Sequence, residues 1–417
     1  MTYSLQFFII NSYLNSMIML RFLCVTDTME ADGRSYTMDL ETLCIHGDIT
    51  AYEGTGSITI PIYQTATFAH PGVGESTGYD YSRVQNPTRE HLEKTVAALE
   101  GGLDALAFSS GMAAISLMME LFKPGDHILA SDDLYGGSIR LFRSISEKNG
   151  LTCELCDTSD LSALEQRIRP RTKAIFIETP TNPMMLVTDI AAVAALCKPR
   201  GIRLIVDNTF LTPYFQRPLL LGADIVTHSG TKYLGGHNDT LAGFLVVKDP
   251  ELSERLRFLY KTVGPCLSPF DSFLITRGMK TLGVRMERQQ ENAQAVAEWL
   301  LAQDAVKHVY YVGLQDHPGY AVSCRQATGF GAMISFRVAD AALARQILER
   351  VRLIRYAESL GGVESLITYP MLQTHADIPE EERVRKGIDD CLLRFSVGLE
   401  SAKDIIADLA QAMKEEA

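Results

Sequence analysis

The chain has 417 residues, 46% of them hydrophobic and 22% charged, enough to bury a sizeable core and long enough to divide into more than one domain. Its 39 basic against 51 acidic side chains leave a formal charge of −12, so a phosphate backbone meets no basic balance and nucleic acid is excluded as a partner. Eight cysteines spread from Cys24 to Cys391 make no disulfide framework. The lone Cys153-x-x-Cys156 lacks the second ligand pair that a metal site needs, so the thiols read as reduced, structural groups and the pair as a strand end. No metal is expected.

In chain order, residues 5–25 are apolar, but Asn11, Ser12, Asn15, Ser16 and Arg21 interrupt the run. No basic leader region or small-residue cleavage site flanks it. Residues 1–37 therefore read as a disordered extension ahead of a domain that begins at MDLETLCIHGD, with Met1, Met29 and Met38 as candidate starts. A membrane anchor is the rival reading of this stretch.

From about residue 103 to 248, short apolar runs alternate with helical stretches. Strands are predicted at Ala105–Phe108, His127–Ala130, Ala174–Glu178, Leu204–Val206, Asp224–Thr227 and Ala242–Val247, with helices such as Ala113–Phe122 and Ile190–Cys197 between them. Almost wholly apolar strands separated by helices predict a largely parallel sheet buried on both faces. The C-terminal third differs. Ala293, Val296, Ala297, Leu300 and Leu301 mark one amphipathic helix, and Leu343, Ile347 and Val351 a second, with the strand-like GAMISFRV between them. Ser401 and Asp404 resemble a capping box that opens a last helix carrying Ile405, Leu409 and Met413. The expected fold class is α/β: a large domain with a mostly parallel sheet, plus a smaller α+β C-terminal domain.

Ligands of open α/β sheets bind beyond the carboxyl ends of the strands, and three such ends carry useful chemistry. Ser109-Ser110-Gly111-Met112 ends a strand and opens a helix, whose free N–H groups and positive dipole end suit a phosphate. Asp207 ends LIVDNTF, where a buried carboxylate needs a cation or donor, such as a pyridinium nitrogen, unless it caps the next turn. Ser229-Gly230-Thr231-Lys232 follows a third strand. Two hydroxyls and a flexible Gly ahead of one Lys suit phosphate gripping together with an amine at fixed distance, and desolvation beside positive groups would lower that lysine's pKa. A water-exposed Lys is the bland alternative, and the order of the three motifs outweighs it. No G-x-G-x-x-G follows a strand, which disfavours a dinucleotide-binding dehydrogenase.

YSRVQNPT (81–88), SSGMAA, DDLYGG, ETPTNP, VDNTF, HSGTKYLGGHND, AESLGGVESL and LLRFSVGLE run in this order. Together they resemble the Cys/Met-metabolism group of fold-type-I pyridoxal-phosphate enzymes over about residues 38–415. The resemblance implies an N-terminal arm at 38–85 that contacts a neighbouring subunit, a cofactor-binding large domain at 86–285 and a small domain at 286–417. It implies a homotetramer built as a dimer of dimers, acting on small amino-acid substrates; the reduced thiols, the net charge and the interrupted apolar run add the expectation of a cytoplasmic protein that binds neither nucleic acid nor membrane. Lys232 would carry pyridoxal 5′-phosphate as a Schiff base and shuttle protons, and Asp207 would pair with the ring nitrogen. Gly111, Met112, Ser229 and Thr231 would hold the phosphate, while Tyr81 and Arg83 would reach the neighbour's phosphate. Tyr135 would stack on the ring and serve as general acid/base, and Asn182 would contact the phenolic oxygen. Arg394, aided by Ser359, would clamp the substrate carboxylate, although read locally it is also an edge-strand charge.

Within the group, Gly137 stands where methionine γ-lyases carry a reactive Cys, and Glu358 precedes the substrate-binding Ser359, as in γ-synthases and γ-lyases. The stretch from Glu364 to Arg383 is similar to that of bacterial γ-synthases that also act as O-acetylhomoserine sulfhydrylases. The expected reaction is cystathionine γ-synthesis from an O-acylhomoserine and cysteine, with sulfide as another acceptor. A cystathionine γ- or β-lyase is the alternative. A catalytically silent regulator would need to have lost Lys232, Asp207 or Arg394, and all three are present.

Overall fold

A computed structural model describes residues 28–31, 34–47, 56–376 and 378–414. Two short strands, β1 (Thr28–Ala31) and β2 (Arg34–Thr37), pair antiparallel. The rest of 1–37, including the apolar run 5–25, lies outside the described residues. Among those described, no helix is long and apolar enough to cross a membrane.

The large sheet is built from β3 (Asp104–Phe108), β4 (His127–Ser131), β5 (Thr152–Cys156), β6 (Thr172–Glu178), β7 (Arg203–Asp207), β8 (Ile225–Ser229) and β9 (Gly243–Val247). Their order across the sheet is β3-β9-β8-β7-β6-β4-β5. The run β5-β4-β6-β7-β8 is parallel, and β9 is antiparallel to both β8 and β3. Successive residues feed opposite faces: Leu204 and Val206 of β7 enter one core, and Ile205 enters the other. Each fully buried side chain of this kind contributes about 1.5–3 kcal/mol. Continuous apolar strands were legible for this reason. The edge strand β5 was not, because Thr152 is exposed and Glu154 pairs with Arg167 and Arg169 in solvent. Its Cys153 and Cys156 are free thiols, and burial pushes their pKa values up to about 11 and about 12.

The helices are punctuated as local chemistry dictates. Pro87–Glu100 starts at Asn86, whose side chain accepts from Thr88 N at 3.1 Å, has Pro87 in its first turn, and stops at left-handed Gly101. Gly111–Met119 is capped by Ser110 Oγ, which accepts from Ala113 N at 3.1 Å. Leu282–Leu301 carries the predicted stripe and runs unbroken through the 285/286 junction between the expected domains.

The second sheet contains β10 (Val306–Tyr310), β11 (Met333–Val338), β12 (Arg355–Tyr356), β13 (Leu366–Thr368) and β14 (Leu392–Ser396), in the order β10-β11-β14-β13-β12. Arg394 sits on β14, between β11 and β13, so it is a buried central-strand residue and not an edge charge. Helix Ala402–Met413 begins after Ser401 as foreseen. The capping box does not form, since the Ser401 side chain makes no cap hydrogen bond and Asp404 N donates to the Ser401 carbonyl at 2.9 Å.

Candidate active site

Three parallel strands end in one polar row. Glu178 of β6 is in register with Asp207 of β7, and Asp207 is in register with Thr227 of β8. Apolar residues one step back, Phe176, Ile205 and Ile225, belong to a single core, so the three polar side chains crown one face of the sheet. A cavity of about 210 Å³ opens above them, bordered also by Gly111, Met112, Ser229 and Lys232.

Lys232 follows β8 by one turn, and its Nζ donates to Ser359 Oγ at 3.0 Å. Burial, aided by the nearby Arg394 charge and opposed by Glu358, pulls its pKa down to about 8. The amine is thus far closer to neutral at physiological pH than an ordinary lysine. Ser359 is held in the left-handed region at φ 111, which is costly for a residue with a side chain and signals a constraint imposed by the site. Its carbonyl accepts from Arg394 Nη2 at 2.9 Å while its hydroxyl meets Lys232, so one strained residue links the two cations.

Asp207 Oδ1 accepts from Thr209 N at 3.0 Å and from Thr209 Oγ1 at 2.6 Å. Desolvation raises its pKa against the pull of those bonds and of His228. The Thr209 hydroxyl also accepts from Ser229 N at 2.9 Å, which joins the ends of β7 and β8. Gly111 lies so close to this turn that a Cβ there would stand 3.1 Å from Ser229 Cβ. A side chain there would have to push Ser229 back by a few tenths of an ångström, so the glycine favours this close approach of the helix Gly111–Met119 to Ser229.

Arg394 is buried and commits Nη1 to Asn182 Oδ1 at 3.0 Å and Nη2 to Ser359 O and Thr368 Oγ1. Burial lowers its pKa to about 10. Asn182, expected at a phenolic oxygen, lines the cavity and also orients Arg394. Tyr135 borders the cavity with 43% of its surface exposed. A Cβ on Gly137 would fall 2.5 Å from the Tyr135 ring and 3.1 Å from Met112 Sδ, so a side chain there would require the Tyr135 ring to shift from this position. Tyr81 and Arg83 do not border this cavity. They lie exposed ahead of the helix Pro87–Glu100, the guanidinium 5.7 Å from the Tyr81 ring centroid. Glu358 is exposed, next to Ser359.

Three contributors carried no role in the sequence reading: Glu178, Thr209 and Thr227. Glu178 stood inside the quoted ETPTNP motif, but only strand register places it beside Asp207. Thr209 had a local signal, two residues after Asp207, as in an Asx turn.

The donor set fits pyridoxal phosphate. The helix start offers N–H groups of Gly111 and Met112 that no preceding turn can satisfy, beside the Ser229 hydroxyl; the Thr231 hydroxyl borders the same cavity while it donates to Ala242 O at 3.3 Å and accepts from Ala242 N at 3.0 Å. Thr227 Oγ1 and Arg394 Nε are buried without a partner, which is costly unless a bound molecule meets them.

Comparison with known proteins agrees with this geometry. The sequence matches the family described as Cys/Met metabolism PLP-dependent enzyme over residues 41–414. It is 49% identical over 377 residues to a cystathionine gamma-lyase of Bacillus subtilis (strain 168), covering 90% of this chain and 100% of that one. It is 51% identical over 361 residues to a cystathionine gamma-synthase/O-acetylhomoserine (thiol)-lyase of the same organism, covering 87% and 92%. The fold superposes on the crystal structure of cystathionine gamma synthase from Xanthomonas oryzae pv. oryzae in complex with aminoacrylate and cysteine. That match has a TM-score of 0.89 and 41% identity, covering 91% of this chain and 98% of that one.

Proposed function

The chain belongs to the Cys/Met metabolism PLP-dependent enzyme family, and within it we propose that the chain is a γ-replacement enzyme of the cystathionine γ-synthase type. It joins an O-acylhomoserine to cysteine, with release of the acyl group as a carboxylic acid, and takes sulfide as a smaller acceptor. The observation that carries the γ-type reading is Glu358, an exposed carboxylate whose charge is felt by both Lys232 and Arg394; γ-lyases share it, and the similarity of the stretch from Glu364 to Arg383 to bacterial γ-synthases is what favours synthesis. A carboxylate there can orient the amino group of an incoming cysteine. Gly137, packed against the Tyr135 ring, argues against an enzyme that depends on a cysteine at that position.

Bound pyridoxal phosphate supplies an electron sink for charge developing next to the substrate's α-carbon. Gly111, Met112, Ser229 and Thr231 would hold its phosphate, Asp207 its ring nitrogen, and Lys232 its aldehyde carbon. Arg394 orients the substrate carboxylate, with its unpartnered Nε as the open donor. Lys232 Nζ, with its pKa lowered to about 8, is the base that takes the α-proton and later returns it. Ser359 Oγ, 3.0 Å from that nitrogen, steers it between these positions. The Tyr135 hydroxyl is the candidate to pass a proton on the substrate side, and its ring excludes water from that side. Tyr81 and Arg83 would complete the site of a neighbouring subunit, which makes a dimer the smallest active unit and a tetramer of two such dimers, in the cytoplasm, the proposed state.

The second reading is a cystathionine lyase, favoured by the 49% identity to a relative that carries that name. The same side chains serve it, with water in place of the thiol. The test compares kcat/KM for cystathionine synthesis from O-acetyl- or O-succinylhomoserine and cysteine with kcat/KM for cystathionine cleavage by the same preparation. Synthesis is expected to be faster. Cleavage faster by tenfold, about 1.4 kcal/mol in transition-state stabilisation, makes the protein a lyase.

A further inference from the structure

Glu178 has no part in the scheme above, yet it borders the cofactor cavity, is 6% exposed and stands in register beside Asp207. Its Oε2 accepts the backbone N–H of Tyr135 at 3.1 Å. Tyr135 immediately precedes the short helix Gly136–Arg140, and its carbonyl accepts from Ser138 N at 2.9 Å. Its own side chain caps nothing. The turn that presents the Tyr135 ring is therefore tied to the sheet through Glu178. We propose that Glu178 is a positioning residue of this site, fixing the Tyr135 turn to the strand end beside Asp207.

It does so as an uncharged acid. Burial comes first and the adjacent Asp207 second in pushing the Glu178 carboxyl well above the ordinary range. Asp133 adds to that push, while the Tyr135 N–H and the Arg394 charge oppose it. Of two neighbouring buried carboxyls, the one with fewer donors carries the proton. Asp207 has two hydrogen bonds from Thr209, and Glu178 accepts one from Tyr135. This leaves Asp207 as the negative charge facing the ring and gives Glu178 a neutral, geometrical task. A glutamine performs that task, because it retains the acceptor oxygen. A leucine of similar volume does not.

The inference rests on the reading that Tyr135 covers the cofactor ring, and the experiment separates the two. Holoenzymes carrying Glu178→Gln, Glu178→Leu and Tyr135→Ala are compared by visible circular dichroism of the bound cofactor, by cofactor dissociation constant and by kcat and KM. Glu178→Leu is expected to change the visible dichroism in the same sense as Tyr135→Ala and to lower kcat at least tenfold relative to Glu178→Gln. Cofactor affinity should move less than kcat in the leucine variant. The glutamine variant should keep the wild-type dichroism. A glutamine variant as impaired as the leucine one, in spectrum and in kcat, overturns the proposal, because an ionised carboxylate is then what the site needs. A wild-type spectrum in Glu178→Leu beside an altered one in Tyr135→Ala overturns the role of Glu178 alone. A wild-type spectrum in Tyr135→Ala overturns the placement of Tyr135 and this proposal with it. If the leucine variant does not fold, the glutamine spectrum still decides.

Discussion

The ends of β7 and β8 carry polar groups on both faces of the sheet, and the two faces are built differently. On the cavity face Glu178, Asp207 and Thr227 lie side by side. Both carboxyls have raised pKa values, and the Thr227 hydroxyl has no partner. On the opposite face His228 Nε2 meets Glu100 Oε1 at 2.7 Å, and Asn208 Nδ2 donates to the same oxygen at 2.9 Å. Gln216 bonds Asn208 at 3.0 Å and accepts from Gln326 Nε2 at 3.2 Å, so a chain of buried amides ties the large sheet to the helix Tyr320–Gln326. Only Glu100 Oε2 and His228 Nδ1 in that chain lack partners. Both faces hold buried polar atoms without partners, so neither burial nor an orphaned atom alone distinguishes a site from a scaffold. Access to the cavity does: Glu178, Asp207 and Thr227 border it, whereas Glu100, Asn208, Gln216 and His228 do not. The network holds elements together, and the cavity row is placed to meet a ligand.

The largest expected effect lies on the cavity face. Lys232→Ala should fold as the parent does, since its Nζ contributes one hydrogen bond, to Ser359. It should lose the yellow bound-cofactor band and at least about 10³-fold in kcat, the scale on which general acid–base catalysis operates. Absorbance after gel filtration and a steady-state assay read both. Multiple turnover at a rate near that of the parent would remove Lys232 from the mechanism.

The next pair sharpens the contrast between the faces. His228→Leu removes the imidazole hydrogen bond from the buried Glu100 carboxyl and leaves Asn208 as the remaining donor to Oε1, and leaving a buried polar group under-satisfied costs about 1–3 kcal/mol. Urea denaturation should show a clearly lowered midpoint, while kcat under folding conditions falls much less. Asp207→Asn keeps an oxygen for Thr209 and removes a buried charge, so its midpoint should stay close to the parent's. Its kcat should drop on the order of 10²-fold, as for other losses of preorganised charge stabilisation. Reversed outcomes, stability lost at 207 and activity lost at 228, would break the distinction.

How much of this the sequence disclosed follows the same division. Strands β6 to β9 were legible because they are apolar on both faces, and Lys232, Asp207 and Ser229 because they follow such strands in order. Glu178 and Thr227 were not, since a polar residue at a strand end acquires meaning only from the strand beside it, and register across a sheet is a long-range fact. Arg394 read locally as an edge-strand charge, and the pairing of β14 with β11 and β13 overturns that reading; the carboxylate clamp came from the resemblance alone. The small sheet was seen only in part: β12 spans two residues and β13 three, too few for a period to register. The consequence of Gly137 was the least accessible, because the resemblance named what was missing there but not that the Tyr135 ring lies against that position.

The smallest expected effect falls at the rim, where neither face's logic applies. Glu358 is exposed, so its charge acts in a high-dielectric setting and a single contact there is worth about 1 kcal/mol or less. Its loss should therefore lower kcat/KM with cysteine by up to roughly 5-fold and leave the cofactor band and the denaturation midpoint in place. Sulfide has no amino group for the carboxylate to orient, so kcat/KM for homocysteine formation should fall less. The ratio of the two constants in Glu358→Ala, divided by the parent's ratio, isolates orientation of cysteine from any general damage to the site. A ratio that stays at the parent's value would mean that Glu358 acts on the shared O-acylhomoserine or only through the field it exerts on Lys232 and Arg394. A lowered ratio, with the cavity-face properties unmoved, would identify the rim as the place where the acceptor is chosen and the cavity-face row as the place where the chemistry is done.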